Sequence, residues 1–231
     1  MECKIKEVKN DLYKISPIRM SNDASISNVH APLPLFYNFF MIVCGPPGSG
    51  KTCFMLNLIN KKLKNTLYKK FDRVLLFSNS LHTIGEKIKL PEDRMFHGIE
   101  QLQEVVEGLE SENHRALIIL DDVISDIKNN PFFMKLLYNR RHIGGGVSIV
   151  IMTQIWNKLP LALRKVSTHV VLFNTSNKKE FQSIYDDFIN IKRETFDEII
   201  KYIFDDKHNF LFLDTVNKIF YKNFNLLSFQ E

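Results

Sequence analysis

Long apolar runs are what this sequence most plainly lacks. None reaches the roughly 18–20 residues that a membrane-crossing helix needs, so no stretch reads as one. Cysteine is scarce. Cys3, Cys44 and Cys53 are the three present in 231 residues. Odd in number and scattered, they build neither a disulfide scaffold nor a zinc site, and they fit a reducing compartment. The opening MECKIKEVKNDLYK mixes both charges around no apolar core, so a secretion signal is not expected. A strong charge bias is missing too. The net charge of +5 permits a polyanionic partner without requiring one. Repeats and low-complexity tracts are absent. What remains is a globular composition, 45% hydrophobic and 25% charged, in a chain long enough for one α/β domain with a substantial core.

The pattern along the chain sharpens at Phe36. Residues 1–35, including SNDASISN and the proline-spaced APLPLF, show no strong period and read as an amino-terminal extension. Residues 36–231 read as the main domain. FYNFFMIVCG is a short apolar run suited to a buried strand, and CFMLNLINKKL after it suits a largely buried helix. RVLLFS (73–78), ALIILDDV (116–123), VSIVIMTQ (147–154) and THVVLF (168–173) continue the series of strands. IEQLQEVVEGL (99–109) puts Ile99, Leu102, Val105, Val106 and Leu109 on one helical face. PFFMKLLYNRRH (131–142) begins with proline at a first helical turn, as helices tolerate. Two more helices are expected over about 178–189 and 193–204, then a hairpin from FLFLDT and KIFYKNF. Strands that alternate with helices and are apolar throughout imply a parallel sheet covered on both faces.

GPPGSGKT (45–52) lies between the first strand and the first helix and matches G-x-x-x-x-G-K-[ST] in full. Its glycines let backbone N–H groups turn toward phosphate oxygens, and a helix amino terminus adds partial positive charge. The predicted cradle is Gly45, Pro46, Pro47, Gly48, Ser49, Gly50, Lys51, Thr52 and Cys53. Lys51 is expected to reach the β- and γ-phosphates of ATP, and Thr52 to hold Mg2+. LIILDD (117–122) ends a buried strand on two carboxylates, at the sheet edge where open α/β sheets bind ligands. Asp121 is assigned to Mg2+ and Asp122 to polarising the attacking water. Adjacent acids suit hydrolysis better than transfer to a small acceptor. Gln154 ends the next strand at the same edge. It either orients water and senses the γ-phosphate or simply closes a strand on a polar residue. NKKE (177–180) faintly matches a guanine-reading motif, but no D-x-x-G switch accompanies it. It is read as a helix start with Asn177 as the cap.

The P-loop, LIILDD, Arg141-His142 before the fourth strand and Gln154 at its end together resemble the HerA–FtsK superfamily. Within it, YNRRHIGGGVSIVIMTQIWNKLPLALRK is most similar to the genome-packaging ATPases of poxviruses, giant viruses and virophages, with Leu159-Pro160, Arg164 and the later HNFLFLDT in matching places. The resemblance covers about residues 30–225. It implies a RecA-like P-loop fold with core strand order 5-1-4-3-2 and a small carboxyl-terminal hairpin. It further implies an ATP-hydrolysing double-stranded DNA translocase working as a homo-oligomeric ring, hexamer or pentamer. Capsid or portal-vertex proteins would be its partners, in host cytoplasm or a viral factory. In such rings an arginine from the neighbour stabilises transition-state charge; Arg141 matches the position, with Arg140 as runner-up. Two departures stand out: Val166 where the family often has asparagine, and Asp122 where the wider superfamily often has glutamate. Arg164 is either a phosphate sensor or a surface charge. The cluster Lys61, Lys62, Lys64, Lys69, Lys70 and Arg73 either meets DNA phosphate or forms a solvated face. Other readings are a cellular or conjugative DNA pump, a P-loop small-molecule kinase, and an assembly factor using nucleotide as a switch.

Overall fold

The computed structural model describes residues 35–59, 66–84, 87–88, 90–128 and 130–228. The expected extension before Leu35, and Lys61, Lys62 and Lys64, lie outside them. One sheet organises the described chain. Its strands are β1 (Phe40–Cys44), β2 (Arg73–Ser78), β3 (Met95–His97), β4 (Ala116–Asp121), β5 (Val147–Thr153), β6 (His169–Phe173), β7 (Phe210–Asp214), β8 (Ile219–Lys222) and β9 (Asn225–Leu226). Their order is β3-β2-β4-β5-β1-β6-β7-β8-β9. The first six of that order pair in parallel and the last three add antiparallel. Counted over the five strands expected from sequence, β6-β1-β5-β4-β2 is the order 5-1-4-3-2. The fold is that of a P-loop NTPase, and the hairpin at 210–222 is present.

Continuous apolar strands are explained by a core on each face. Alternate residues of a strand point to opposite sides. Phe40, Ile42, Ile118, Leu120, Ile149 and Ile151 enter one layer, while Met41, Val43, Leu117, Ile119, Val150 and Met152 enter the other. The first layer is closed by α3 (Leu102–Ser111), α5 (Pro131–Asn139), α6 (Leu161–Val166), α7 (Lys178–Phe188) and α8 (Arg193–Ile203). The second is closed by α1 (Lys51–Leu58) through Phe54, Met55 and Leu58. Ile99 packs from the turn before α3, which starts at Leu102, about one turn later than the helix expected from 99. Sequence periodicity passed over β3, α2 (Leu81–Ile84) and α4 (Ile124–Ile127), each at most four residues long. An element that short presents too few residues to establish a period. The edge strand β3 is held by stacking, with Phe96 lying 4.6 Å from Phe77.

Candidate active site

Strand register brings the expected residues into one row. Ser78 pairs with Asp121, Asp121 with Met152, and Cys44 with Thr153, all at the carboxyl edge of the parallel strands. The P-loop leaves β1 there and is fastened by Gly45 N–H to the Thr153 carbonyl at 3.2 Å. Gly45 is required by proximity: a Cβ would stand 2.7 Å from Phe173 Cβ and Ser49 Oγ. Gly50, at φ 110°, supplies the left-handed step into α1, a conformation that favours glycine. Lys51 folds back and donates to the carbonyls of Gly45 and Pro46, the latter at 3.0 Å. Burial pushes its ammonium pKa down, against the pull of Cys44, Asp121 and Asp122. The buried Ser49 Oγ has no hydrogen-bond partner among the described residues. Cys53 is exposed on α1 and is a free thiol.

Successive strand residues face opposite ways, so two adjacent acids would not ordinarily share a cleft. Here they do. Asp122 takes φ 56°, a left-handed turn that aspartate tolerates better than most residues, and the chain bends so that both carboxylates line one hollow. Asn79 Nδ2 donates to the Asp122 carbonyl at 3.2 Å and to Asp126 Oδ2 at 3.1 Å, bracing the turn. Ser78 Oγ donates to Asp121 Oδ2 at 3.2 Å. Burial raises the Asp121 pKa and Asp122 adds to the rise; the Ser78 bond and Lys51 oppose it.

The hollow measures about 230 Å3 and is lined by Pro47, Gly48, Lys51, Thr52, Ser80, Asp121, Asp122, Met152, Thr153 and Gln154. A second, of about 350 Å3, lies against Pro46–Ser49 on one side and Asn174, Thr175, Ser176 and Lys207 on the other. Oxygen donors Thr52 and Asp121 in one cleft suit Mg2+, which takes one or two protein oxygens and completes its shell with water and phosphate. Ser78, Asn79 and Ser80 were missed in the sequence, although polar residues closing a strand are the signal that singled out Gln154. His208 was also missed. Its Nδ1 lies 3.4 Å from the Ser49 carbonyl, across 159 residues, and no local pattern announces it.

The remaining candidates lie elsewhere. Arg140 and Arg141 sit at the other edge, where β5 begins; seven strand residues at about 3.3 Å each put Arg141 roughly 20 Å from Gln154 in its own subunit. Arg140 is half-buried and donates to the Asn38 and Leu137 carbonyls at 2.8 and 2.7 Å, with its pKa lowered to about 10 by burial and then Arg141. Arg141 is exposed. Arg164 is no free surface charge: its guanidinium pairs with Asp187 and lies 5.8 Å from the Trp156 ring. Val166 is a partly buried apolar residue packed on the core. Asn177 caps α7, accepting from Lys179 N–H at 3.1 Å. Glu180 is buried and accepts from Trp156 N–H at 3.1 Å and Thr175 Oγ1 at 2.9 Å. Of the basic cluster, Arg73 pairs with Glu112 and Lys69 is exposed.

Solved structures with this fold include the genome packaging NTPase B204 of Sulfolobus turreted icosahedral virus 2. In complex with sulfate it superposes with TM-score 0.62 at 15% identity, covering 83% of this chain and 98% of that one. In complex with ATP-gammaS the values are 0.59, 13%, 82% and 98%. The DNA packaging protein OPG160 of Variola virus is 27% identical over 153 residues, 60% of this chain and 54% of that protein. The chain thus spans about half the length of the curated relatives it matches. The family model of the poxvirus A32 protein matches residues 35–211, well over half of the sequence, and the chain belongs to that family.

Proposed function

We propose that this protein is an ATP-hydrolysing motor that moves double-stranded DNA into a viral capsid. The observation that carries the reading is one cleft holding a full P-loop, two carboxylates and Gln154, in a member of the poxvirus A32 family. ATP phosphates lie on the loop from Gly45 to Thr52, with the adenosine end in the hollow beside Thr175 and Lys207. Lys51 leaves its carbonyls for the β- and γ-phosphates. Thr52 and Asp121 hold Mg2+, which supplies charge neutralisation at the transferring phosphoryl group. Asp122 takes the proton of the attacking water, and Gln154 orients that water. Arg141 serves the neighbour's site, since its own lies a sheet's length away. That requires the amino edge of one subunit to meet the carboxyl edge of the next, a head-to-tail contact of the kind that closes into rings. The ring, its partners at the capsid vertex and its place in a viral factory belong to the same proposal.

Phosphate release with and without duplex DNA, beside the oligomeric mass with an ATP analogue, tests it. Turnover should rise with DNA and the mass should be a ring's. A monomer whose turnover ignores DNA overturns the motor and favours a small-molecule kinase.

A further inference from the structure

A third hollow, of about 620 Å3, opens beside the catalytic cleft and shares Asp122, Thr153 and Gln154 with it as a common wall. Its far side is built from the segments that follow the two catalytic strands. Ser125 and Lys128 come from α4 and its end; Asn157 and Lys158 come from the turn after Gln154. Both lysines are exposed and neither has an ion pair among the described residues. The nearby acid Asp126 is engaged on both oxygens, by Asn79 and Ser125. Among the described residues, Asp122 is the one carboxylate lining the hollow, at its catalytic end.

The geometry points to this hollow as the place where the sugar-phosphate backbone of duplex DNA is held. The inference rests on the DNA-motor reading. Two uncommitted ammonium groups with hydroxyl and amide donors beside them form a surface for phosphate oxygens and for no particular base, as backbone-directed binding requires. The wall shared with ATP gives the contact a consequence. Lys158 is four residues from Gln154, and the segment between is pinned at Trp156, whose side chain is fully buried and whose N–H is held by Glu180. Lys128 is linked to Asp122, six residues before it, through the short α4. DNA held here bears directly on the two residues that handle the attacking water.

The test compares full-length wild type with a Lys128→Ala/Lys158→Ala double variant and with Lys158→Glu. A Lys135→Ala/Lys201→Ala variant controls for lost charge, both residues being exposed on other helices. Anisotropy of a labelled DNA duplex is followed over a salt series, with ATPase stimulation by the same DNA. Affinity for an ATP analogue and melting temperature check that each variant is folded. The double variant should bind DNA about tenfold more weakly near 0.1 M salt, with a salt slope reduced by about one for each lysine, and should lose stimulation. Lys158→Glu should lose more. A double variant that matches the charge control in affinity and slope, while wild type is stimulated, overturns the groove and leaves the motor standing. Wild type that neither binds nor responds to DNA overturns both.

Discussion

At the amino edge of the sheet, Arg140 donates to Asn38 and Leu137, Arg115 lies 4.4 Å from the Tyr37 ring, Arg73 pairs with Glu112, and Asn38 N–H finds Ser148 Oγ. At the carboxyl edge, Ser49 Oγ is buried without a partner, Lys51 turns back onto its own loop, Asp121 is buried with a raised pKa, and Gln154 is exposed. The two edges share a sheet and its strands. Several polar groups at the amino edge are satisfied across long sequence separations by other parts of the fold, whereas the carboxyl edge leaves Ser49 Oγ without a partner among the described residues and Gln154 exposed. Arg141 at the amino edge is exposed, in keeping with the role proposed for it at a neighbour's site.

This contrast can be broken by substitution, since carboxyl-edge changes should act on turnover and amino-edge changes on stability. Lys51→Ala has the largest expected effect, a fall of phosphate release to background; retained turnover refutes the phosphate cradle. Arg141→Ala should lower turnover about 10³-fold with an unchanged melting temperature, and mixing it with Lys51→Ala subunits should restore part of the activity. Arg140→Ala should instead strand two carbonyls, cost about 2 kcal/mol and lower the melting temperature by roughly 5 °C. If the two arginines exchange these phenotypes, the assignment moves one residue. Asp122→Asn should lower kcat by about 10² while ATP-Mg2+ still binds, as equilibrium binding and single-turnover rates would show.

Asp121→Asn has the smallest and most diagnostic effect. The folded state holds the Asp121 proton more tightly than the unfolded chain does, so this group's contribution to stability falls as pH rises from the ordinary carboxylate range through the raised value. Removing the charge should make the nucleotide-free protein melt a few degrees higher at pH 7, a gain that shrinks on acidification. The same variant should lose the extra stabilisation that Mg2+ gives with nucleotide. Calorimetry across pH reads both, and a variant that melts lower at pH 7 contradicts the picture.

The parallel sheet and its P-loop edge were legible because buried parallel strands are apolar end to end and the P-loop marks where they finish; the strand order came from the family resemblance. Asp121, Asp122 and Gln154 were found by standing at strand ends. The left-handed turn that brings the two acids together was not visible, since a backbone angle leaves no trace in residue spacing. Arg164 stayed open between two readings for another reason. Its partner Asp187 is 23 residues away on α7, and a lone arginine in a sequence gives no sign of whether it is already paired. The brace from Asn79 was hidden likewise, by a separation of 43 residues from Asp122.

Glu180 gives the molecule a common footing. One carboxylate oxygen takes the N–H of the turn that follows Gln154, and the other takes the hydroxyl of Thr175 beside the P-loop. Both loops are moored to one side chain, so a shift in either changes the terms on which the other is held. The segment after Gln154 lines the 620 Å3 hollow and Thr175 lines the 350 Å3 one, so a single buried acid fastens the walls of two separate hollows beside the P-loop.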